Sequence, residues 1–397
     1  MRNDVLVGYS WCRSSYTAIR SLSRYGLRVA AADSARFGMG QNSRFISERY
    51  VHCDPRSNPE QFIEDMNKIL RKSKVHFYLP GHDEGQIVTR YRKHLPRHIK
   101  IPLPSYNILS LANDKMRAIE FASRGGIPTP KYAAFKHISK IDNIISEIGE
   151  SVVIKLHRSN SAKGVFYAQG KELIIDTLDK VIRQFNLKHQ NYPIIQKRVK
   201  GEGWGVSCLY WHGNRIASFT HRRLREKIST GGPSTLRESA HNRVMEDCAH
   251  KLLDKLNWHG LAMVEFKWNP IEKQPWFIEI NPRLWGSIAL PVACGVDFPV
   301  MTYIAATKGI NAARSMYKDY PDGIVARWYL GDMIISIKSL SKLNLLEAMK
   351  LLLPGNEDVY DDLFYDDIGA TFSEFLSYFL RFIKYRSTNP IDRGFVE

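Results

Sequence analysis

Cysteine is scarce in this 397-residue sequence, which has five scattered cysteines and no Cys-x-x-Cys pair. A disulfide framework or a zinc knuckle is therefore not expected, and a reducing compartment fits the composition. Long apolar runs are also missing, because no stretch reaches the roughly 18 uncharged apolar residues that a membrane span needs. The apolar run near the first methionine is too short for a signal peptide. We therefore expect a cytoplasmic protein.

Acidic side chains are outnumbered, with 40 Asp and Glu against 57 Lys and Arg and a formal net charge of +17. This surplus favours polyanionic partners such as nucleotide phosphates, nucleic acid or anionic lipid. No helix-turn-helix, zinc-finger or aromatic RNA-binding signature is present, so we expect no specific nucleic-acid partner. A Walker A phosphate loop is absent as well. With 44% hydrophobic residues, the chain is long enough to bury a substantial core.

The first hundred residues alternate strand and helix signals. Strands are predicted at 5–7, 27–32, 50–52 and 76–79, and helices at 14–25 and 59–72. This rhythm predicts a parallel, doubly wound sheet, in which ligands sit at the carboxyl ends of strands. Those ends are Gly8–Ser14 and Gly81–Gly85. Prolines bracket the helical segment that follows, which predicts a domain boundary near 105–130.

Two β-like runs at 261–268 and 276–283 carry the most informative polar residues. Asn269-Pro270 between them is a turn signal, so the runs are predicted to pair as antiparallel neighbours. Side chains alternate along a strand, so Glu279 and Asn281 share a face. A carboxylate within an apolar strand is costly to bury unless another group compensates its charge. Together with Glu265, the side chains of Glu279 and Asn281 offer only oxygen ligands, which suits Mg²⁺, and Arg283 can reach a phosphate. A solvent-facing hairpin is the alternative.

Three further segments carry weaker signals. In SVVIKLHRSNSAKGV (151–165) a strand ends in a lysine that can grip phosphate, beside a polar loop. In PIIQKRVKGEGWGV (193–206) a strand enters a glycine-rich connector whose backbone can pair with adenine. HRRLREKISTGGPS (221–234) is a basic cluster suited to clamping an anion. Taken singly, each also fits a surface loop, a glycine-rich turn or a solvated basic face.

Taken in their order along the chain, the four segments resemble the ATP-grasp superfamily, above all its branch of predicted carboxylate–amine ligases. The resemblance covers about residues 4–310 and is most specific in FIEINPRLWGSIALPVACGVDFP (277–299) and STGGPSTLRES (229–239). It implies an α/β fold, with α+β character in the ATP-grasp part. A Rossmann-like pre-ATP-grasp domain would span 1–105. The ATP-grasp domain would span 106–310, with a small lobe at about 130–198 and a large lobe at about 199–310. A helical C-terminal region would span 311–397.

The resemblance also implies ATP and Mg²⁺ as cofactors, with two magnesium ions, and Mn²⁺ as an alternative. The implied metal ligands are Glu265, Glu279 and Asn281, and Arg283 would stabilise the transferred phosphate. The implied nucleotide contacts are Lys115, Lys155, the loop Ser159–Gly164, the adenine hinge Gln196, Lys197, Arg198 and Val199, and Glu202 at the ribose. For the substrate anion we predict Arg222, Arg225 and the Gly231-Gly232 loop.

The predicted function is that of an ATP-dependent carboxylate–amine ligase. A small-molecule or glycan-linked carboxylate becomes an acyl phosphate, an amine attacks it, and ADP and phosphate are released. Asp83 and Glu84 are candidates to orient the amine. The alternative is a basic protein that binds polyanions or a membrane surface, and binds nucleotide without ligase catalysis. The apolar, basic tail at 371–386 suits an anionic bilayer, docking on the core, or a homodimer interface.

Overall fold

The computed structural model describes residues 2–159, 164–227, 232–340, 345–353, 355 and 357–385. Its first sheet is parallel and four-stranded, in the order β3-β2-β1-β4. The elements are β1 (Val5–Val7), α1 (Arg13–Arg24), β2 (Val29–Asp33), β3 (Glu48–Val51), α2 (Pro59–Ser73), β4 (Phe77–Leu79) and α3 (Glu84–Arg90). The predicted parallel sheet is confirmed. Because β2 and β4 flank β1, the carboxyl ends of β1 and β4 form the crevice where ligands bind in such sheets.

A four-stranded antiparallel sheet follows, in the order β5-β8-β6-β7. It is preceded by two helices, α4 (Tyr106–Asn113) and α5 (Lys115–Arg124), the second capped by the Asp114 carboxylate. The remaining elements are β5 (Tyr132–Ala134), α6 (Ile141–Ile148), β6 (Ser151–Lys155), β7 (Val165–Gln169), α7 (Lys171–Gln184) and β8 (Ile194–Lys197). The sequence analysis places one strand that ends in Lys155 and another that enters the glycine-rich connector, and β6 and β8 confirm both.

The largest sheet has seven strands, in the order β13-β12-β9-β10-β11-β14-β15. It is built from β9 (Glu202–Trp211), β10 (Asn214–Glu226), β11 (Ser234–Ser239), α8 (Arg243–Lys255), β12 (Gly260–Asn269) and β13 (Gln274–Asn281). After it come α9 (Ala289–Ala293), α10 (Phe298–Lys308), α11 (Ile310–Arg314), β14 (Val325–Arg327), α12 (Tyr329–Leu340), α13 (Leu345–Leu352), β15 (Val359–Tyr360) and α14 (Ile368–Tyr385).

The region after residue 310 is mainly helical, as expected, and it also contributes the two short strands β14 and β15. β14 pairs with β11 and β15 pairs with β14, so this region extends the largest sheet. Asp367, the residue before α14, also contacts the first domain, because it accepts a hydrogen bond from Tyr16 at 3.1 Å. The C-terminal region is therefore integrated into the molecule. No helix among the described residues has the length and apolar character needed to cross a lipid bilayer.

One large apolar core joins the first domain to the largest sheet. Residues of α1 and β1 pack in the same buried cluster as residues of α10 and of strands β9, β10 and β12. At about 25 cal/mol per Å² of buried apolar surface, such a shared core fixes the two parts against each other. The crevice at β1 and β4 is thereby held over the face of the largest sheet.

Candidate active site

The hairpin of β12 and β13 brings two carboxylates face to face. Glu265 and Glu279 are directly opposite in the antiparallel register. The Asn281 amide donates to Oε1 of Glu265 at 2.8 Å and to Oε1 of Glu279 at 3.3 Å. The predicted pairing of these strands, and the shared face of Glu279 and Asn281, are confirmed. Three oxygen-bearing side chains therefore converge on one point.

Cationic side chains surround this point. Lys115 Nζ lies 3.1 Å from Oε2 of Glu279 and donates to the Ser159 carbonyl oxygen at 2.6 Å. Arg223 Nη2 lies 2.6 Å from Oε1 of Glu265. We call this group the acidic end of the cavity. Its members are Lys115, Lys155, Arg223, Glu265, Glu279, Asn281 and Arg283.

The charge states at the acidic end follow from burial and from these partners. Burial alone would raise the pKa of Glu279, but the Lys115 ammonium, with Arg283 and Lys155, lowers it to about 2. Burial raises the pKa of Glu265 despite Arg223, and the neighbouring Glu279 charge adds to the rise. Burial lowers the pKa of Lys155 to about 8, with Glu279 opposing and Lys115 adding to the shift. Lys155 is therefore still mainly a cation at neutral pH.

The donor set at the acidic end fits a hard divalent cation. The described residues contain no cluster of three or more His, Cys, Asp or Glu side chains arranged to hold a metal ion. Two carboxylates plus an amide are nevertheless enough for Mg²⁺, which keeps several water or phosphate ligands. Asn281 Oδ1 accepts from Arg283 Nη1 at 2.7 Å. A half-turn of this amide would direct its oxygen toward both carboxylates and complete the set.

A cavity of about 530 Å³ runs along the sheet past these residues. The four hinge residues predicted for adenine all line it: Gln196, Lys197, Arg198 and Val199. Glu202 does not share their setting, because it lies on the face of β9 that carries Trp204, opposite to the cavity-lining Gly203. Its predicted ribose contact stays a prediction. Residues 160–163 of the predicted phosphate loop lie outside the described residues.

The two arginines predicted to bind the substrate anion do not line this cavity, so their role stays a prediction. Arg222 pairs with Glu238 on β11, and Arg225 Nε donates to Asp332 Oδ1 at 2.9 Å. Arg223 enters the cavity instead. For Arg222 the reason is strand alternation, since His221 and Arg223 lie on one face of β10 and Arg222 on the other. For Arg225 the alternation is interrupted, because the pairing of β10 with β11 is irregular between Arg223 and Arg225. Gly231 of the predicted loop lies outside the described residues.

The other end of the cavity is rich in aromatic side chains, which the sequence analysis did not connect. We call it the aromatic end and define it by Trp11, Arg13, Lys227, Trp285, Trp328 and Tyr378. These residues come from the start of α1, the end of β10, the segment after Arg283, and the C-terminal region. No spacing pattern in the sequence links them. The basic character of residues 221–227 is the one signal that pointed to Lys227.

Asp83 and Glu84 occupy different positions at the carboxyl end of β4. Asp83 Oδ1 lies 3.7 Å from Arg283 Nε and lines a smaller cavity of about 220 Å³ beside the acidic end. Glu84 is buried, and it accepts hydrogen bonds from the Gly81 and His82 amides at 2.7 and 3.1 Å. Burial raises the pKa of Glu84 to about 8. Asp83 can therefore meet a ligand beside Arg283, whereas Glu84 supports the loop.

A family model for the ATP-grasp domain matches residues 112–287. These residues form an ATP-grasp domain. The family predicted from the sequence is thereby confirmed for this part of the chain. The match includes Lys115, the hinge and the whole hairpin of β12 and β13. It excludes Arg13, Trp328 and Tyr378, so the aromatic end is only partly built by the ATP-grasp domain.

Relatives and solved structures agree with this assignment. The chain is 23% identical over 224 residues to a carbamoyl-phosphate synthase of Methanobrevibacter smithii, covering 53% of the chain and 57% of that protein. It is 27% identical over 163 residues to a probable alpha-L-glutamate ligase of Marinomonas sp., covering 38% and 52%. The chain thus spans little more than half the length of these relatives.

The fold is shared with a biotin carboxylase domain. That structure, from the Hydrogenobacter thermophilus 2-oxoglutarate carboxylase, is a dimer in complex with MgADP, ADP and bicarbonate. The TM-score is 0.64 at 15% identity, over 78% of this chain and 70% of that one. The similarity extends well beyond residues 112–287. The parallel sheet and the ATP-grasp domain therefore belong to one shared architecture.

Proposed function

We propose that the protein is an ATP- and Mg²⁺-dependent ligase that joins a carboxylate to an amine. The observation that carries the proposal is the convergence of Glu265, Glu279 and Asn281 inside a ring of cations. Mg²⁺ held by these three side chains would neutralise phosphate charge and orient the terminal phosphate. The name of the Marinomonas relative, a glutamate ligase, supports the same reaction class.

The chain's own residues would bind and position ATP. The hinge 196–199 would receive the adenine between the four-stranded antiparallel sheet and the seven-stranded sheet, and Lys155 and Lys115 would contact the phosphates. Arg283, which follows β13 and lies beside Asn281 and Asp83, would lie next to the transferred phosphate. Phosphoryl transfer depends mainly on positioning and on such charge neutralisation. Burial of Lys155, which is 8% exposed, keeps its charge effective by excluding water.

The reaction would proceed in two balanced steps. A substrate carboxylate oxygen attacks the γ-phosphorus, the bond to the β-phosphate oxygen breaks, and ADP leaves with that electron pair. The amine nitrogen then attacks the acyl carbon, inorganic phosphate leaves, and the amine loses a proton to water. Arg283 and Lys115 would offset the charge that develops in the first step. The amine-orienting role of Asp83 and the predicted domain boundaries remain part of this proposal.

The test is ADP release with Mg²⁺–ATP and pooled carboxylates and amines. The wild-type chain should release ADP only when both Mg²⁺ and a carboxylate are present. Glu279→Ala should lose this activity, whereas Glu272→Ala, an exposed position in the turn of the same hairpin, should keep it. Full activity of Glu279→Ala would contradict the proposal.

A membrane-surface role for α14 is a second proposal, favoured by one observation. Apolar side chains on its outer face are solvent-exposed: Phe372 62%, Phe379 59% and Ile383 59%. With the net charge of +17, such a face suits an anionic bilayer. Co-sedimentation with phosphatidylserine vesicles should fall in a Phe372→Ser, Phe379→Ser variant. Ile271→Ser, which alters an exposed turn residue, should bind like wild type.

A further inference from the structure

Arg13 occupies a special place at the aromatic end. It is the first residue of α1, and its guanidinium carbon lies 3.8 Å from the centre of a Trp328 ring. A Cβ atom at Gly286 would lie 2.9 Å from Arg13 Nη2, so the absence of a side chain there leaves room for the guanidinium. Gly286 follows Arg283 by three residues. The guanidinium of Arg13 is therefore positioned beside the loop that would face the terminal phosphate.

The charges around Arg13 leave a positive surplus. Arg13 Nε lies 3.5 Å from Asp361 Oδ2, and the same carboxylate also pairs with Arg237. One buried carboxylate thus pairs with two guanidinium groups. Burial raises the pKa of Asp362 to about 7 and the pKa of Glu374 well above its usual range, which weakens the opposing charge of these two neighbours of Arg13. Buried unbalanced charge is costly, which favours an anionic ligand here.

Two further features add to the positive character. Lys227 Nζ lies 5.5 Å from the centre of the Trp328 ring and lines the same cavity. Helix α1 has no acidic residue in its first turn, and its N-cap Cys12 makes no side-chain capping hydrogen bond, so its positive dipole end remains uncompensated locally. The acidic side chains among the described lining residues are Glu226, Glu265 and Glu279, all on the β10, β12 and β13 strands. An anion at Arg13 meets no lining carboxylate from the aromatic end.

Aromatic rings form the wall next to these cations. The ring centres of Trp11 and Tyr378 are 6.5 Å apart, and those of Trp328 and Tyr378 are 6.0 Å apart. The Arg381 guanidinium carbon lies 4.0 Å from the centre of the Trp11 ring on α14's side. Trp11 and Trp328 are 6% and 1% exposed, so each ring offers the cavity only a small apolar area, which suits the edge of another ring. A ligand here combines an anionic group with a ring.

We propose that the aromatic end binds a carboxylic acid carried on a ring. The carboxylate would lie between Arg13 and Lys227, and the ring would lie against Trp11 and Tyr378. The inference rests on the proposed function, since this carboxylate would be the one that is phosphorylated. It adds the substrate class and a role for the C-terminal region, which supplies Trp328, Tyr378 and the Asp361 partner of Arg13.

The test is direct binding of ring acids to the full chain, measured by calorimetry without nucleotide. Phenylacetate and glucuronate serve as probes for an aromatic and a sugar ring, and acetate and phenylacetamide serve as controls. One of the two ring acids should bind at least about 10-fold more tightly than acetate and phenylacetamide. Failure of both ring acids to exceed the controls would overturn the proposal.

Variants locate the site. Arg13→Gln should weaken ring-acid binding by about 10- to 100-fold, the range of a hydrogen bond to a charged group. The matched control is Arg20→Gln on the same helix, because Arg20 pairs with Asp366 at 2.8 Å outside the cavity. Unchanged binding in Arg13→Gln would contradict the proposal. If Arg13→Gln does not fold, Lys227→Gln takes its place with the same expected direction.

Failure of the ring-acid site can be distinguished from failure of the proposed ligase function. Glu279→Ala should bind the ring acid like wild type while it loses ADP release. Ring-acid binding that depends on Arg13 in a chain without any ligase activity would support the binding site and remove the ligase proposal. If acetate supports ligase activity as well as either ring acid does, the ligase proposal would be supported and the ring-acid site would be removed.

Discussion

The acidic end and the aromatic end of the cavity are built in different ways. The acidic end draws its oxygen ligands Glu265, Glu279 and Asn281 from a single hairpin, β12 and β13, whereas three of its cations come from α5, β6 and β10. The aromatic end draws its residues from both extremes of the chain, with Arg13 on α1 and Tyr378 on α14. Local strand pairing thus fixes the oxygen ligands of the acidic end, whereas the aromatic end exists only when distant elements have docked.

This difference predicts how each end responds to damage. The hairpin forms through backbone pairing that depends on neighbouring residues, so a change at the aromatic end should leave it intact. The aromatic end depends on buried contacts between α1 and the C-terminal region. Loss of one such contact should disturb ring-acid binding and stability while nucleotide binding persists.

The largest expected effect is on stability, from Asp361→Asn. Asp361 is 1% exposed and pairs with Arg13 and with the fully buried Arg237. Removing its charge should lower the free energy of unfolding by about 3–5 kcal/mol, because two buried guanidiniums lose their partner. Urea unfolding measures this change. The matched control is Asp366→Asn, whose pairs with Arg20 and Arg24 lie nearer the surface, and it should cost about 1 kcal/mol or less.

The next effect is on nucleotide binding, from Lys155→Met. A buried lysine that contacts phosphate should be worth about 10- to 100-fold in affinity for a Mg²⁺–ATP analogue. Ring-acid binding should not change, since Lys155 belongs to the acidic end. The control is Lys171→Met, which removes an exposed lysine paired with Asp142 on the small lobe. If Lys155→Met lowered the affinities for the nucleotide and for the ring acid equally, the two ends would not be separate binding sites.

A smaller effect is expected in the pH dependence of stability, through Glu84. Burial raises the pKa of this carboxyl from 4.5 to about 8 in the folded state. The folded state therefore holds the proton more tightly, and the stabilisation is complete below pH 4.5 and lost as the pH rises through 8. Glu84→Gln should remove most of this dependence, so that the free energy of unfolding in urea no longer falls between pH 5 and 8.5 because of this group. Glu60→Gln, exposed on α2, should keep it.

The smallest effect is expected for Arg222→Gln. Its guanidinium pairs with Glu238 away from the cavity and is 41% exposed, so both ligand affinities should change by less than about 2-fold. Arg223→Gln, one residue further on, should weaken the Mg²⁺–ATP analogue by about 10-fold because Glu265 loses its partner. A strong defect in Arg222→Gln would support the role that the sequence predicts for it.

The sequence predicts the acidic end well because its signals are local. The turn at Asn269-Pro270 and the alternation of Glu279 and Asn281 suffice to place three side chains together. Arg223 was not predicted, because the sequence alone does not show which face of β10 lines the cavity. Trp328 and Tyr378 could not be predicted, because their position depends on how the C-terminal region docks on α1.

The most direct test of the account is a calorimetric titration of a Mg²⁺–ATP analogue into Glu279→Ala and Arg13→Gln. The account predicts that Glu279→Ala loses nucleotide binding, whereas Arg13→Gln binds the nucleotide like the wild-type chain. Wild-type nucleotide affinity in Glu279→Ala, or its loss in a folded Arg13→Gln, would contradict the central claim that the cavity has two separately built ends.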